Sequence, residues 1–162
     1  MRFVLDASAI IYLQDFRKME EIFIPPLVLE EIKDKISKMK LEAMNAKIFE
    51  PRKKFVEEVK KVAKETGDFE KLSEADFQVL ALAKELKAKI VSDDYSIQNV
   101  AAKMGLEFVP IMQKGIKKIF KWKKYCPYCK KFFGVEEKTC YFCGATLKRI
   151  PAKLKERKKE KD

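Results

Sequence analysis

Two sets of side chains have spacings that chemistry can use. Cys126-Pro-Tyr-Cys129 and Cys140-Tyr-Phe-Cys143 are close pairs separated by ten residues. Each pair forms a tight turn that can present two thiolates to one ion, and four thiolates around one Zn²⁺ make a closed structural site with no position left for water. Such a site would use every cysteine of the chain and leave no thiol for catalysis. The second set is acidic. Asp6 directly follows the strand-like run RFVL, Asp93 and Asp94 follow KIVS, Glu30 and Glu31 lie early in an expected helix, and Asp76 lies in the first turn of another. Histidine is absent. That excludes Ser–His–Asp and Cys–His catalysis and any imidazole-ligated metal, and leaves carboxylates, lysines and hydroxyls as the chemical groups at neutral pH.

The acids can act together only if the fold converges them. Short apolar runs at 2–5, 22–24, 89–92 and 106–109 read as strands. Between them, helices are expected from residue 8, from Pro26 to about Ile36, across 38–66 with a break or kink near Pro51, from Glu74 to Lys87 behind a Ser73 cap, and from Ile97 to Met104. Strands alternating with helices predict an α/β domain with a parallel sheet flanked by helices. In such a sheet the strand C-termini share one edge, where ligands bind. Each acid alone has an ordinary explanation. Asp6 can cap a helix, Ser73-x-x-Asp76 is a capping box, Glu30 or Glu31 suits a helix N-terminus, and Asp93-Asp94 can be a turn. Crowded at one edge, however, they repel unless a cation neutralises them, and an all-oxygen donor set suits Mg²⁺ or Mn²⁺. One ion or two is left open.

Charge divides the chain. Residues 1–113 hold 19 basic and 20 acidic side chains, whereas residues 114–162 hold 17 and 5, so the last third carries the whole basic excess. A polyanion-binding arm on a near-neutral body is the expected reading. Lys121, Lys123, Lys124, Lys130, Lys131, Lys138, Lys148 and Arg149 alternate with aromatic residues, and are candidate contacts to nucleic acid. The expected organisation is a catalytic domain over 1–109, a linker over 110–124, a zinc ribbon over 125–149 and a basic, disordered tail over 150–162. In the linker, Ile116, Ile119, Phe120 and Trp122 could dock on a neighbouring domain. The chain has no apolar run near the length of a membrane span, and Met1–Leu5 enters a strand directly without the pattern of a signal peptide. A cytoplasmic protein without a membrane partner is expected.

The ordered set Asp6, Val28-Leu29-Glu30-Glu31-Ile32, Leu72-Ser73-Glu74-Ala75-Asp76 and Ser92-Asp93-Asp94 resembles the PIN-domain nucleases over residues 1–109. Glu31-Ile32-Lys33-Asp34, Asp94-Tyr95-Ser96-Ile97-Gln98-Asn99-Val100 and the four-cysteine ribbon narrow the resemblance. They point to the archaeal form of the ribosome-biogenesis endonucleases that mature the 3′ end of small-subunit rRNA. The resemblance implies that Asp6, Glu31, Asp76 and Asp94 are the catalytic, metal-holding acids, that Ser8 supports them, and that Asp93 stands behind them. It selects Glu31 over Glu30 and Asp94 over Asp93. It further implies one structural Zn²⁺, a catalytic Mn²⁺ or Mg²⁺, and metal-dependent hydrolysis of a phosphodiester in precursor small-subunit rRNA within the pre-ribosomal small subunit, with protein partners unspecified. The alternatives are another PIN-type ribonuclease, of RNA decay or toxin type, and a non-catalytic rRNA-binding scaffold.

Overall fold

Val4, Leu5, Ile24, Ile90 and Val91 are almost wholly removed from solvent, as strands covered on both faces must be. In the computed structural model, which describes residues 1–112, 115 and 118–156, these residues form the centre of a five-stranded parallel sheet. The strands are β1 (Arg2–Leu5), β2 (Glu21–Ile24), β3 (Lys47–Ile48), β4 (Lys89–Val91) and β5 (Phe108–Val109), in the order β3-β2-β1-β4-β5. The intervening helices are α1 (Ala7–Tyr12), α2 (Pro26–Glu31), α3 (Lys35–Met44), α4 (Lys53–Thr66), α5 (Glu74–Leu86) and α6 (Tyr95–Lys103). The α/β fold with a parallel sheet between helices is as expected. Helix α5 is the most deeply set: Phe77 and every residue from Val79 to Ala83 are buried in it.

The local chemistry explains where the elements stop. Pro26 opens α2 and Ser73 opens α5 with a reciprocal capping box to Asp76. The helical stretch over 38–66 is broken before Lys53, as expected near Pro51, but it also breaks earlier: it is two helices flanking an edge strand. Asn45 takes the left-handed conformation (φ 52°) and ends α3, after which Lys47–Ile48 pair in parallel with β2. The helix expected from Pro26 to Ile36 also breaks early. Asp34 caps a new helix through Ser37, so α2 ends at Glu31.

The C-terminal third departs further from expectation. Much of the stretch expected as a linker is β6 (Lys118–Tyr125), and part of the stretch expected as a disordered tail belongs to β8 (Lys148–Glu156). These two strands pair antiparallel along their whole length, and a short β7 (Phe132–Phe133) pairs with the end of β6. The cysteine turns therefore sit at the tip of a long two-stranded stem. Ile116 and residues 157–162 lie outside the described residues, as does the Phe120 side chain. No helix among the described residues is long and apolar enough to cross a membrane.

Candidate active site

Asp6, Glu31, Asp76 and Asp94 line one open concavity at the C-terminal edge of the sheet, with Asp93, Ser8, Tyr12 and Met112 completing its wall. Asp6 follows β1 and is itself the N-cap of α1, so its position is fixed by two elements. Its Oδ1 accepts from the Ala9 N–H and the Ser8 hydroxyl, each at 2.8 Å. Its Oδ2 accepts from the Ser92 hydroxyl, and the Ser92 Oγ accepts in turn from the Asp94 N–H at 3.0 Å. One buried hydroxyl thus ties the carboxylate after β1 to the backbone of the acid after β4. Asp76 and Asp94 cap α5 and α6 with a single oxygen each.

Burial raises the pKa of Asp6 above the ordinary carboxylate range against the pull of its three hydrogen bonds, and the nearby Asp94 charge adds to the rise. Burial also raises Asp76, with Asp94 and Asp6 adding repulsion. Glu31 is raised by burial and then by Asp76 and Asp6. These are mutually repelling acids in one cleft, a donor set that fits a hard divalent cation and is costly without one. They surround a concavity rather than meet at a point, and a hard cation that retains several waters would suit such a site.

The neighbouring acids have different positions. Glu31, not Glu30, lines the cleft. Asp93 also reaches its wall, but its carboxylate accepts from the backbone N–H groups of Ile111 and Met112 at 2.6 and 2.9 Å and so anchors the chain leaving β5. Ser92 was visible in the sequence only as part of a motif; its bridging hydroxyl depends on a partner 86 positions away.

The four cysteine Sγ atoms all lie within 4.8 Å of one another. Tetrahedral zinc with sulfur at about 2.3 Å needs sulfurs roughly 3.8 Å apart, and Cys126 and Cys143 stand at 3.6 Å. The two turns are near copies. Lys130 N–H donates to the Cys126 carbonyl and Gly144 N–H to the Cys140 carbonyl, both at 2.9 Å, with Lys130 and Gly144 in the left-handed region at φ 55° and 72°. Hydrogen bonding to Cys143 pushes the Cys129 thiol up to about 12. Burial works against ionisation of Cys140, yet the backbone N–H groups of Cys143 and Phe142 bring it down to about 7. A bound metal would hold all four as thiolates.

Of the candidate RNA-binding residues, Lys121, Lys123, Lys130, Lys131, Lys138 and Lys148 are exposed and Lys124 is half-buried on the stem. Lys131 lies over the Phe142 ring at 3.6 Å, and the rings of Tyr128, Phe132 and Tyr141 are also exposed. Arg149 departs from this set. Its guanidinium turns inward, stacks on Trp122 at 3.9 Å and pairs with the buried Asp68 at 3.6 Å. Asp68 was not singled out in the sequence. Apart from Thr66, two residues earlier, its partners are Asn99, Trp122 and Arg149, all far along the chain, so no local pattern marks it.

A family model described as the PIN domain of ribonuclease matches residues 3–86, and one described as a PINc domain ribonuclease matches residues 71–121. The chain is 41% identical over 161 residues to "Endoribonuclease Nob1" of Pyrococcus abyssi, covering 93% of this chain and 94% of that one. It is 42% identical over 165 residues to "Endoribonuclease Nob1" of Methanocaldococcus jannaschii, covering 98% and 83%. It is also 31% identical over 99 residues to the "20S-pre-rRNA D-site endonuclease nob1" of Schizosaccharomyces pombe, covering 59% of this chain and 26% of that one.

Proposed function

The chain belongs to the Nob1 family of PIN-domain endoribonucleases, and from that premise we propose that it cuts precursor small-subunit rRNA to produce the mature 3′ end. The observation that carries the reading is the convergence of Asp6, Glu31, Asp76 and Asp94 on one cleft in a chain without histidine. The name borne by the fission-yeast relative supplies the substrate class.

In this reading the four carboxylates hold Mg²⁺ or Mn²⁺. A divalent cation bound there would supply an activated water and neutralise charge on the scissile phosphate. Ser8 and Ser92 orient Asp6, and the caps of α5 and α6 orient Asp76 and Asp94. The fixed carboxylates need no reorganisation when charge develops at the phosphate. The cysteine quartet takes one structural Zn²⁺. The lysines and exposed aromatics of the stem and its tip grip the RNA that an acidic cleft alone would repel. Residence in the cytoplasm belongs to the same reading, because thiolates that serve zinc rather than disulfides need a reducing compartment.

The test is cleavage of an RNA spanning the mature 3′ end of small-subunit rRNA with Mn²⁺ or Mg²⁺. Wild type, Asp94→Asn and chelator-treated protein are compared. Cutting at the mature end is expected for wild type, with a loss on the order of 100-fold or more in the variant and in chelator. Metal-dependent cuts scattered along the RNA would overturn the assigned target and leave a PIN ribonuclease of another kind. Tight binding without cutting would overturn the enzyme reading in favour of a scaffold.

A further inference from the structure

Asp68 is 1% exposed yet carries a carboxylate, and its partners come from both halves of the molecule. From the nuclease domain, the Thr66 hydroxyl donates to Oδ2 at 2.8 Å and the Asn99 amide donates to the same oxygen at 2.6 Å. From the stem, the Trp122 indole N–H donates to Oδ1 at 3.1 Å, and Arg149 Nη1 stands 3.6 Å from that oxygen. The Arg149 nitrogen is fully shielded and has no hydrogen-bond partner among the described residues, so Asp68 is the anion that answers its charge. Gly67 adds a steric condition. It sits at φ +86°, and a Cβ there would lie 2.7 Å from the Trp122 Cβ, so the stem backbone approaches where only glycine leaves room.

The elements joined at Asp68 are the ones that carry the acids. Asp68 lies on the connection from α4 to α5, whose first turn holds Asp76, and Asn99 lies on α6, whose cap is Asp94. Trp122 and Arg149 are opposite strands of the stem whose far end holds the cysteine quartet. A buried carboxylate is tolerable only while all its donors are present, so the joint is complete or it is open to water. Resting on the function proposed above, we propose that Asp68 is a positioning residue: with Trp122 and Arg149 it locks the zinc-bearing stem to the nuclease domain, so that RNA gripped by the stem is cut at a fixed distance from the grip.

Two RNAs test this. One is a short strand carrying only the cut site; the other extends far enough to engage the stem. Trp122→Ala removes the stem-side donor and the ring under Arg149. Trp122→Phe keeps the ring and removes the N–H. Asp68→Asn keeps the shape and removes the charge. For Trp122→Ala, kcat on the short RNA is expected within about twofold of wild type. KM on the long RNA is expected to rise roughly tenfold or more, with cuts spreading to neighbouring phosphodiesters, since small misplacements cost that much. Trp122→Phe and Asp68→Asn should fall between. A second measurement is independent of activity: backbone NMR relaxation of the zinc-loaded full chain. Wild type should show one rotational correlation time for domain and stem, and Trp122→Ala should show a faster stem.

Unchanged KM and cut position in Trp122→Ala would overturn the proposal. So would an equal loss on both RNAs, which would mean that the residue supports the nuclease fold itself. Independent tumbling of the wild-type stem would overturn it as well. A wild type that cuts neither RNA while tumbling as one body would instead strike the proposed function and leave the lock standing.

Discussion

Glu31 accepts no hydrogen bond from any described residue, so its charge meets the cleft with little to stabilise it beyond solvent. Burial and then the Asp76 and Asp6 charges raise its pKa. The sign of the pH effect follows. Asp6, Glu31 and Asp76 all have folded pKa values above their unfolded ones. Their contribution to stability is therefore full below the unfolded carboxylate range near pH 4 and is lost as pH rises through the raised folded values. A divalent cation, which binds the ionised forms, reverses that loss over the same window. Glu31→Gln removes one repelling charge without cutting a cap. We expect it to lower cleavage about 100-fold, and to leave the melting temperature of chelator-treated protein at neutral pH unchanged or raised by up to about 2 °C, the gain being limited by solvent screening. It should also shrink the thermal shift on adding Mn²⁺. Melting curves at acidic and neutral pH, with and without Mn²⁺, check all of this. A metal-free variant clearly less stable than wild type at neutral pH would show that Glu31 holds the fold rather than the charge.

The elements that carry the acids were legible because their signals are local. Pro26, the Ser73–Asp76 box and the apolar runs before Asp6 and Asp93 each act within a few residues. The breaks that were missed depend on weaker cues. Asn45 in the left-handed region looks in sequence like any polar helix residue, and the two-residue β3 is too short to show alternation. Nothing local marks β6 as a strand: Lys118–Tyr125 has no turn partner nearby, and its pairing strand begins more than twenty residues later, beyond the cysteine turns. Those turns are the element least able to stand alone. Their buried cluster is Cys126, Cys140 and Leu147, backed by Cys129, Phe133 and Ala145, too little apolar surface to order two loops without a metal. Removing the Zn²⁺ proposed for the quartet is therefore expected to unfold residues 126–147 while the sheet of β1 to β5 persists. Amide NMR spectra before and after chelation should lose dispersion only in that stretch, with all four thiols becoming reactive to a thiol reagent. Retained dispersion there in a verified zinc-free sample would refute the metal-dependent core.

Across the whole molecule, charge and geometry assign the basic residues to two tasks. The near-neutral body presents an acidic cleft, and the stem carries the basic excess on exposed lysines beside exposed rings. RNA affinity is thus expected to fall steeply with salt, with a slope of about −0.7 for each phosphate neutralised on a single strand. Lys123→Ala and Lys131→Ala should each weaken binding across RNA sequences and lower the slope by roughly one contact's share. Arg149→Ala should behave differently, although its sequence context matches theirs. Its charge is already answered by Asp68 at 3.6 Å and its face by Trp122, so it neutralises no phosphate and releases no counterion from the RNA. Removing it leaves a buried carboxylate uncompensated, at a cost to stability of about 3 kcal/mol, while the salt slope of binding stays at the wild-type value. Salt titrations of RNA binding and denaturant melts of the three variants separate the two tasks. A slope reduced by Arg149→Ala as much as by Lys131→Ala, with unchanged stability, would return Arg149 to the RNA-binding surface and leave Asp68 without its partner.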